Sequence, residues 1–406
     1  MEILQADLKY VLSGNSKILR SINRTIILNI IRERQPISRA NIAKITGLNK
    51  STISSIVAEL LNEDLIYEEI FIDNGVGRNP YNLYLKLGKH YVGAINIDSS
   101  ITRFAVADID GSIKGESSIL TENIDKYKFM EKCINELLKL SSELGINNLK
   151  GIGITIAGIV DSENLIVKFA PNLGWEDFNI GEIIKKLTPE VDIIAVGNDA
   201  KASALAELWF GTHNINLSNF VFLSIGPGIG SGVILDNKLL KGGNEASGEF
   251  GHMTLIEGGN LCVCGNYGCW EAYASDRATV QRYLIRKKMN ALENIDFAID
   301  NILSLAENED EIAIETLKQT GYYLGLGISN IIKALDPQAI IIGGRITKAW
   351  NLIYPEIMNV IKQRAFFNKK NEHLIILPTS LKVRPRLLGA ATLAIKELFD
   401  GYKIIL

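Results

Sequence analysis

Gly248-Glu-Phe-Gly-His252 and, ten residues after that histidine, Cys262-Val-Cys264-Gly-Asn-Tyr-Gly-Cys269-Trp-Glu271 form the most telling run of this 406-residue chain. Three of its four cysteines fall within eight residues, preceded by one of its four histidines. The sequence opens without the basic-then-apolar layout of a secretory signal, so a disulfide framework is not expected, and the spacing is not the Cys-x-x-Cys of a redox pair. Three thiolates and an imidazole complete a tetrahedral shell, which predicts a structural Zn2+ held by His252, Cys262, Cys264 and Cys269. Gly265 and Gly268 permit the tight turns such a loop needs. Cys133 stands alone on an apolar helical face and reads as core.

Around this loop, short apolar runs alternate with helical periodicity. Strands are predicted near 92–97, 104–108, 151–156, 193–196, 221–225, 232–235 and 339–342, and helices at 127–144, 200–209, 271–288, 311–335 and 387–399. That is an α/β chain of layered sheets and helices, with room for two similar lobes. Gly226-Pro-Gly-Ile-Gly-Ser-Gly232 is glycine-rich, and Asn198-Asp199 caps the helix that starts at Ala200.

The first ninety residues differ in kind. Ser16–Gln35 places Ile18, Leu19, Ile22, Ile26, Ile27, Ile30 and Ile31 on one helical stripe, and Pro36 ends it. Ser38 caps a short second helix with Ala40, Ile42, Ala43 and Ile45 inward. Thr46-Gly47-Leu48 turns the chain, and a third helix, Asn49–Asn62, buries Ile53, Ile56, Val57, Leu60 and Leu61. Helix, glycine turn, helix is the helix-turn-helix pattern. Two alternating segments, 65–73 and 81–87, flank Asn74–Pro80 as a wing with Arg78 at its tip, placed to enter a minor groove. Between Ser16 and Thr52 eight basic residues face one acid in a protein of net charge −3, a local footprint for nucleic acid. Ser38, Arg39, Asn49, Lys50, Ser51, Thr52, Ser54, Ser55 and Arg78 are the expected contacts to double-stranded operator DNA. No apolar run approaches the ~20 residues that span a bilayer, so no membrane partner and a cytoplasmic protein are expected.

These motifs resemble the ROK family of repressors, open reading frames and kinases. The resemblance covers about residues 90–400. It rests on the Glu249-x-x-His252 and cysteine run, Pro171-Asn172-Leu-Gly-Trp175, Gly197-Asn198-Asp199-Ala200, the 226–232 glycines and Ile342-Gly343-Gly344 in the family's order. A winged helix-turn-helix ahead of such a domain resembles the family's repressors, xylose repressors among them, rather than its free-standing sugar kinases. The resemblance implies a DNA-binding domain over 1–88 and, over 89–406, a two-lobed actin-like (ribonuclease H-like) sugar-binding domain. It also implies a homodimer or homotetramer on an inverted repeat, and a monosaccharide inducer, xylose or glucose, held by Asn172, Asn198, Asp199, Glu249, His252 and Glu271.

In the family's kinases the first phosphate loop reads Asp-x-Gly-Gly-Thr. Here the matching positions are Asn96-Ile97-Asp98-Ser99-Ser100, which removes the acid and both glycines and adds a repelling carboxylate at Asp98. Asp199 would be the base of a kinase, yet this loop predicts no ATP turnover and no enzyme. The expectation is a sugar-responsive repressor. An ATP-dependent sugar kinase and a repressor governed by a protein partner are the alternatives, and the sign of regulation is open.

Overall fold

The chain forms a head and two lobes, with two helices packed side by side between the lobes. The computed structural model describes residues 16–70, 81–122, 124–213, 215, 217–290, 297–364 and 374–400. Arg78 and the turn expected at the wing tip lie outside the described residues.

The head holds helices α1 (Ser16–Arg34), α2 (Arg39–Thr46) and α3 (Lys50–Asn62), with strands β1 (Ile37–Ser38), β2 (Ile66–Ile70) and β3 (Tyr81–Leu85) in the antiparallel order β1-β3-β2. The predicted caps form. The Ser38 side chain accepts from Asn41 N–H, and Gly47 closes α2 at φ 71° with its N–H on the Ala43 carbonyl. Ile27, Leu28, Ile31, Ile42, Ile53, Ile56, Val57 and Leu60 make the head core. Two sequence expectations fail here: Leu19 and Ala40 are exposed. Leu28 takes the inward place on α1, so the apolar stripe is narrower than periodicity predicts.

The first lobe is a five-stranded sheet in the order β11-β7-β4-β5-β6. Its strands are β4 (Tyr91–Ile97), β5 (Ile101–Asp108), β6 (Ile113–Leu120), β7 (Leu149–Ile156) and β11 (Ile193–Asn198). A small sheet β10-β9-β8, of β8 (Ile159–Asp161), β9 (Ile166–Ala170) and β10 (Trp175–Asn179), sits beside it with α4 (Lys126–Glu143) and α5 (Ile180–Leu187). Helix α6 (Asp199–Phe210) then leads to the second lobe. There β12 (Phe220–Ile225), β13 (Ile229–Leu235), β14 (Lys238–Leu239), β15 (Ala339–Gly343) and β16 (Ile375–Pro378) run in the order β14-β13-β12-β15-β16. Each lobe is an antiparallel three-strand meander continued by two parallel strands, so the two sheets share one topology. This is the actin-like α/β fold.

Helices α7 (Glu271–Ala274), α8 (Asp276–Arg286), α9 (Ile299–Glu307), α10 (Glu311–Leu335) and α11 (Trp350–Arg364) enclose the second lobe. The helix expected over 271–288 is two, broken at Ser275, whose side chain caps the second. Helix α12 (Pro385–Asp400) returns to cover the first lobe's sheet while packing along α6, which lies on the second lobe's β12 and β13. Head and first lobe share one apolar cluster, in which Ile31, Leu65 and Leu85 meet Val92, Leu388 and Phe399. No helix of the described residues is long and apolar enough to cross a membrane.

Candidate functional site

The cysteine loop closes as its residue types demand. Ligand atoms of His252, Cys262, Cys264 and Cys269 all lie within 4.8 Å of one another. Cys262 Sγ is 3.7 Å from His252 Nδ1, and Cys264 Sγ is 3.7 Å from Cys269 Sγ. Tetrahedral bonds of ~2.3 Å to sulfur set sulfurs about 3.7–3.8 Å apart, so this donor set fits a metal ion. Next to Cys269, the fully buried Trp270 donates its indole N–H to the Tyr323 carbonyl at 2.8 Å and anchors the loop in the second lobe. Cys133, by contrast, is wholly buried, and burial pushes its thiol up to about 12, as befits a core residue.

Beside the loop, where residues of the two lobes meet, carboxylates gather. Asn198 ends β11 and caps α6, accepting from Ala200 and Lys201 N–H and donating to the Gly158 carbonyl at 3.0 Å. Asp199 is buried in the first turn. Glu271 is also buried. Its Oε2 accepts from Ile229 N–H at 2.9 Å, and its Oε1 faces Cys262 Sγ at 3.8 Å and Arg277 at 3.4 Å. Glu249 is exposed, yet protein crowding raises its carboxyl above the ordinary value, while His252 and Lys201 oppose that rise. Asp199, Glu249, His252 and Glu271 thus gather at one place. Asn172 stands apart, exposed on the turn Pro171–Leu173 with no hydrogen bond to the others.

The sequence motifs missed Arg386. At the start of α12, its Nε lies 3.1 Å from Ser224 Oγ of the second lobe and 3.2 Å from Asp199 Oδ2, and its Nη1 is 3.2 Å from Asp98 Oδ2. The repulsion expected from Asp98 is therefore corrected: that carboxylate is paired. The guanidinium also borders the glycine-rich turn. A Cβ on Gly226 would meet Arg386 Nη2 at 2.9 Å, and one on Gly228 would meet Glu271 Oε2 at 2.4 Å. Here the bare backbone makes room for side chains of this chain. Asn96, in place of the kinase acid, is buried and donates to Thr155 Oγ1 at 3.1 Å. Arg386 left no trace in sequence because it sits 187 positions from Asp199 and just ahead of a predicted helix.

On the head, Asn49 caps α3 and accepts from Ser51 Oγ and Thr52 N–H, so its carboxamide oxygen is engaged. Lys50, Ser51, Ser54 and Ser55 are exposed and Thr52 half-buried along α3. The basic footprint is smaller than its linear count. Arg20 pairs with Glu59 and reaches Ser55, Arg24 pairs with Glu63, and Arg39 pairs with Glu68. Those acids lie just past the basic segment. Ser55 and Arg39 hold the head together rather than stand free, and Arg34, Lys44 and Lys50 carry the exposed charge.

A model of the ROK family matches residues 92–397. The chain is 31% identical to a xylose repressor of Bacillus spizizenii, over 95% of this chain and 98% of that protein. Among solved structures, it is similar to a ROK family transcriptional regulator described as a homolog of the E. coli MLC protein. The TM-score is 0.82 and the identity 27%, covering 94% of this chain and 97% of that one. It is also similar to a ROK family glucokinase from Streptomyces griseus in complex with glucose and AMPPNP, with a TM-score of 0.66 and 26% identity, over 76% of this chain and all of that one.

Proposed function

Because this chain belongs to the ROK family, we propose that it is a DNA-binding transcriptional repressor whose hold on its operator is loosened by a monosaccharide. The observation that carries the reading is the capped helix-turn-helix head set directly on a two-lobed domain whose cleft gathers Asp199, Glu249, His252 and Glu271. Residues 1–88 bind operator DNA and residues 89–406 bind the sugar. Polar donors at the start of α3, with Lys50, enter the major groove, and a homodimer places two such helices on an inverted repeat.

In the cleft, paired sugar hydroxyls need carboxylate acceptors and fixed donors. Asp199, Glu249 and Glu271 supply acceptors. Asn198 presents what its cap leaves free, and Asn172 closes on the sugar from the first lobe. When bound, a structural Zn2+ on His252, Cys262, Cys264 and Cys269 would clamp the loop and fix the His252 ring. Nδ1 is the nitrogen on the sulfur side, which leaves Nε2 for a sugar hydroxyl. Xylose is the first candidate, after the named relative, and glucose the second. The protein acts in the cytoplasm.

Fluorescence anisotropy of the full chain on its own upstream DNA, with xylose and glucose titrated at fixed salt, tests this. Tight binding weakened by one sugar supports the reading. Binding unmoved by any sugar points to a protein partner, and no specific binding removes the regulator. A second reading, an ATP-dependent sugar kinase, draws on the likeness to the glucokinase. The loop Asn96-Ile97-Asp98-Ser99-Ser100, which lacks the kinase loop's acid and both glycines, argues against it, and an ADP-release assay across pentoses and hexoses decides.

A further inference from the structure

Two helices span the distance between the cleft and the head, and each begins with one member of the same ion pair. Helix α6 starts at Asp199 and ends in Trp209 and Phe210. Helix α12 starts at Pro385-Arg386 and ends in Phe399 and Asp400. At ~1.5 Å per residue they reach about 18 and 24 Å. They are packed backbone to backbone, since a Cβ on Gly389 would lie 2.7 Å from the Ala202 carbonyl carbon. At their far ends Trp209 meets Phe399 edge-on at 5.5 Å. Trp209 also carries the Arg32 guanidinium of α1 at 4.0 Å, and the Asp400 carbonyl accepts from Thr25 of α1 at 2.8 Å. Helix α1 in turn grips α3 through the pairs of Arg20 and Arg24 with Glu59, and the C-cap residue of α3 through Arg24–Glu63.

We propose that Arg386 is the positioning residue that couples the sugar cleft to the operator-binding head: its clasp on Asp199, Asp98 and Ser224 fixes the α6–α12 pair in the operator-binding arrangement, and a sugar that takes the Asp199 carboxylate opens that clasp. The inference rests on the reading of the cleft as a sugar site. Its physical basis is competition. Asp199 Oδ1 already accepts from Ala200 N–H at 2.8 Å, so Oδ2, the oxygen that holds Arg386, is the one a hydroxyl must engage. The guanidinium joins both lobes, so its displacement changes what ties them. A released Arg386 has a second berth. Asp276, at the glycine turn through its N–H on the Gly226 carbonyl, keeps Oδ1 shut off from solvent and without a hydrogen-bond partner, and the charges of Arg386 and Arg345 both act on it. A carboxylate that gains a guanidinium there compensates for the bond lost at Asp199. A two-position contact of this kind is what an allosteric switch requires.

The test is a double-variant cycle on sugar-free, full-length protein, read as operator affinity by anisotropy. Arg386→Met and Asp199→Asn should each weaken operator binding at least fivefold, and the double variant no more than either alone. Arg386→Lys, which keeps the charge but not the fork, should recover part of the loss. A thermal melt confirms that each variant is folded, and Arg386→Gln replaces Arg386→Met if that one is not. Operator affinity unchanged in the Arg386 variants, or losses that simply add, overturns the clasp. A wild-type protein indifferent to every sugar would instead count against the proposed effector, and the sugar-free cycle would still decide the role of Arg386.

Discussion

The Arg32 guanidinium lies 4.0 Å above the Trp209 ring, joining the first helix of the head to the last turn of α6. Burial lowers the pKa of Arg32, with Glu33 and Asp400 opposing, so this cation has left water and relies on its neighbours. Trp209→Leu removes the ring face. It should destabilise the head–lobe junction by about 1–2 kcal/mol and blunt the sugar response, checked by thermal melting and by operator anisotropy with and without sugar.

The metal loop gives a second test. Purified protein should contain about one zinc per chain by elemental analysis, as a four-ligand closed site requires. Cys264 is the exposed member of the set, so Cys264→Ser should lose the metal while retaining the Trp270 anchor. A lower melting temperature together with weaker sugar binding is expected, because His252 then loses the partner that orients its ring. A metal-free variant with unchanged sugar affinity would separate loop from pocket.

Glu249→Gln probes the pocket from its open side. Partial desolvation by the surrounding protein raises the Glu249 carboxyl, with His252 and Lys201 opposing, although the side chain itself is exposed. Replacing a charged acceptor with an amide should weaken sugar binding at least tenfold by titration calorimetry. Equal affinity in the variant would remove Glu249 from the pocket.

Asp276 sets a pH dependence. Burial raises its carboxyl to about 6, against the pull of Arg386 and Arg345. In the unfolded chain it ionises near 4, so the native state carries a charging cost that is full above pH 6, shrinks as pH falls and is gone below about pH 4. Asp276→Asn should therefore raise the melting temperature at pH 7.5 and make little difference at pH 4. The reverse order would mean that the carboxylate is stabilised where it sits.

On the head, Lys50→Ala should weaken operator binding across sequences and reduce the salt slope by about one. Arg39→Ala should cost less affinity and more stability, because Arg39 is held by Glu68 at 2.5 Å. Salt titrations of both variants compare the two.

Elements with a local signature were legible in the sequence. Gly47 at positive φ, the Ser38 cap and the β4–β5 hairpin all follow from nearest-neighbour rules. Cys262, Cys264 and Cys269 announced their loop because metal chemistry demands those residues at short spacing. Strands β1, β6, β8–β10, β14 and β16, and helices α5, α9 and α11, were missed; most are short or lie at the edges of their sheets, although β6 alternates and α5 is strongly amphipathic. Charge was misread for a related reason: Glu59, Glu63 and Glu68 fall beyond the basic segment in sequence but beside Arg20, Arg24 and Arg39 in space. Arg386 was out of reach because its meaning arises only when two chain segments fold against each other.

Helix α12 is the last described element, yet it covers a sheet whose first strand begins at Tyr91. During synthesis that sheet must wait, its β4, β7 and β11 face bare, until nearly three hundred further residues have left the ribosome. A nonsense codon or proteolytic nick ahead of Pro385 would thus strip the roof from the lobe that carries the head, not merely trim a tail. Shortened chains should be clients of chaperones and proteases.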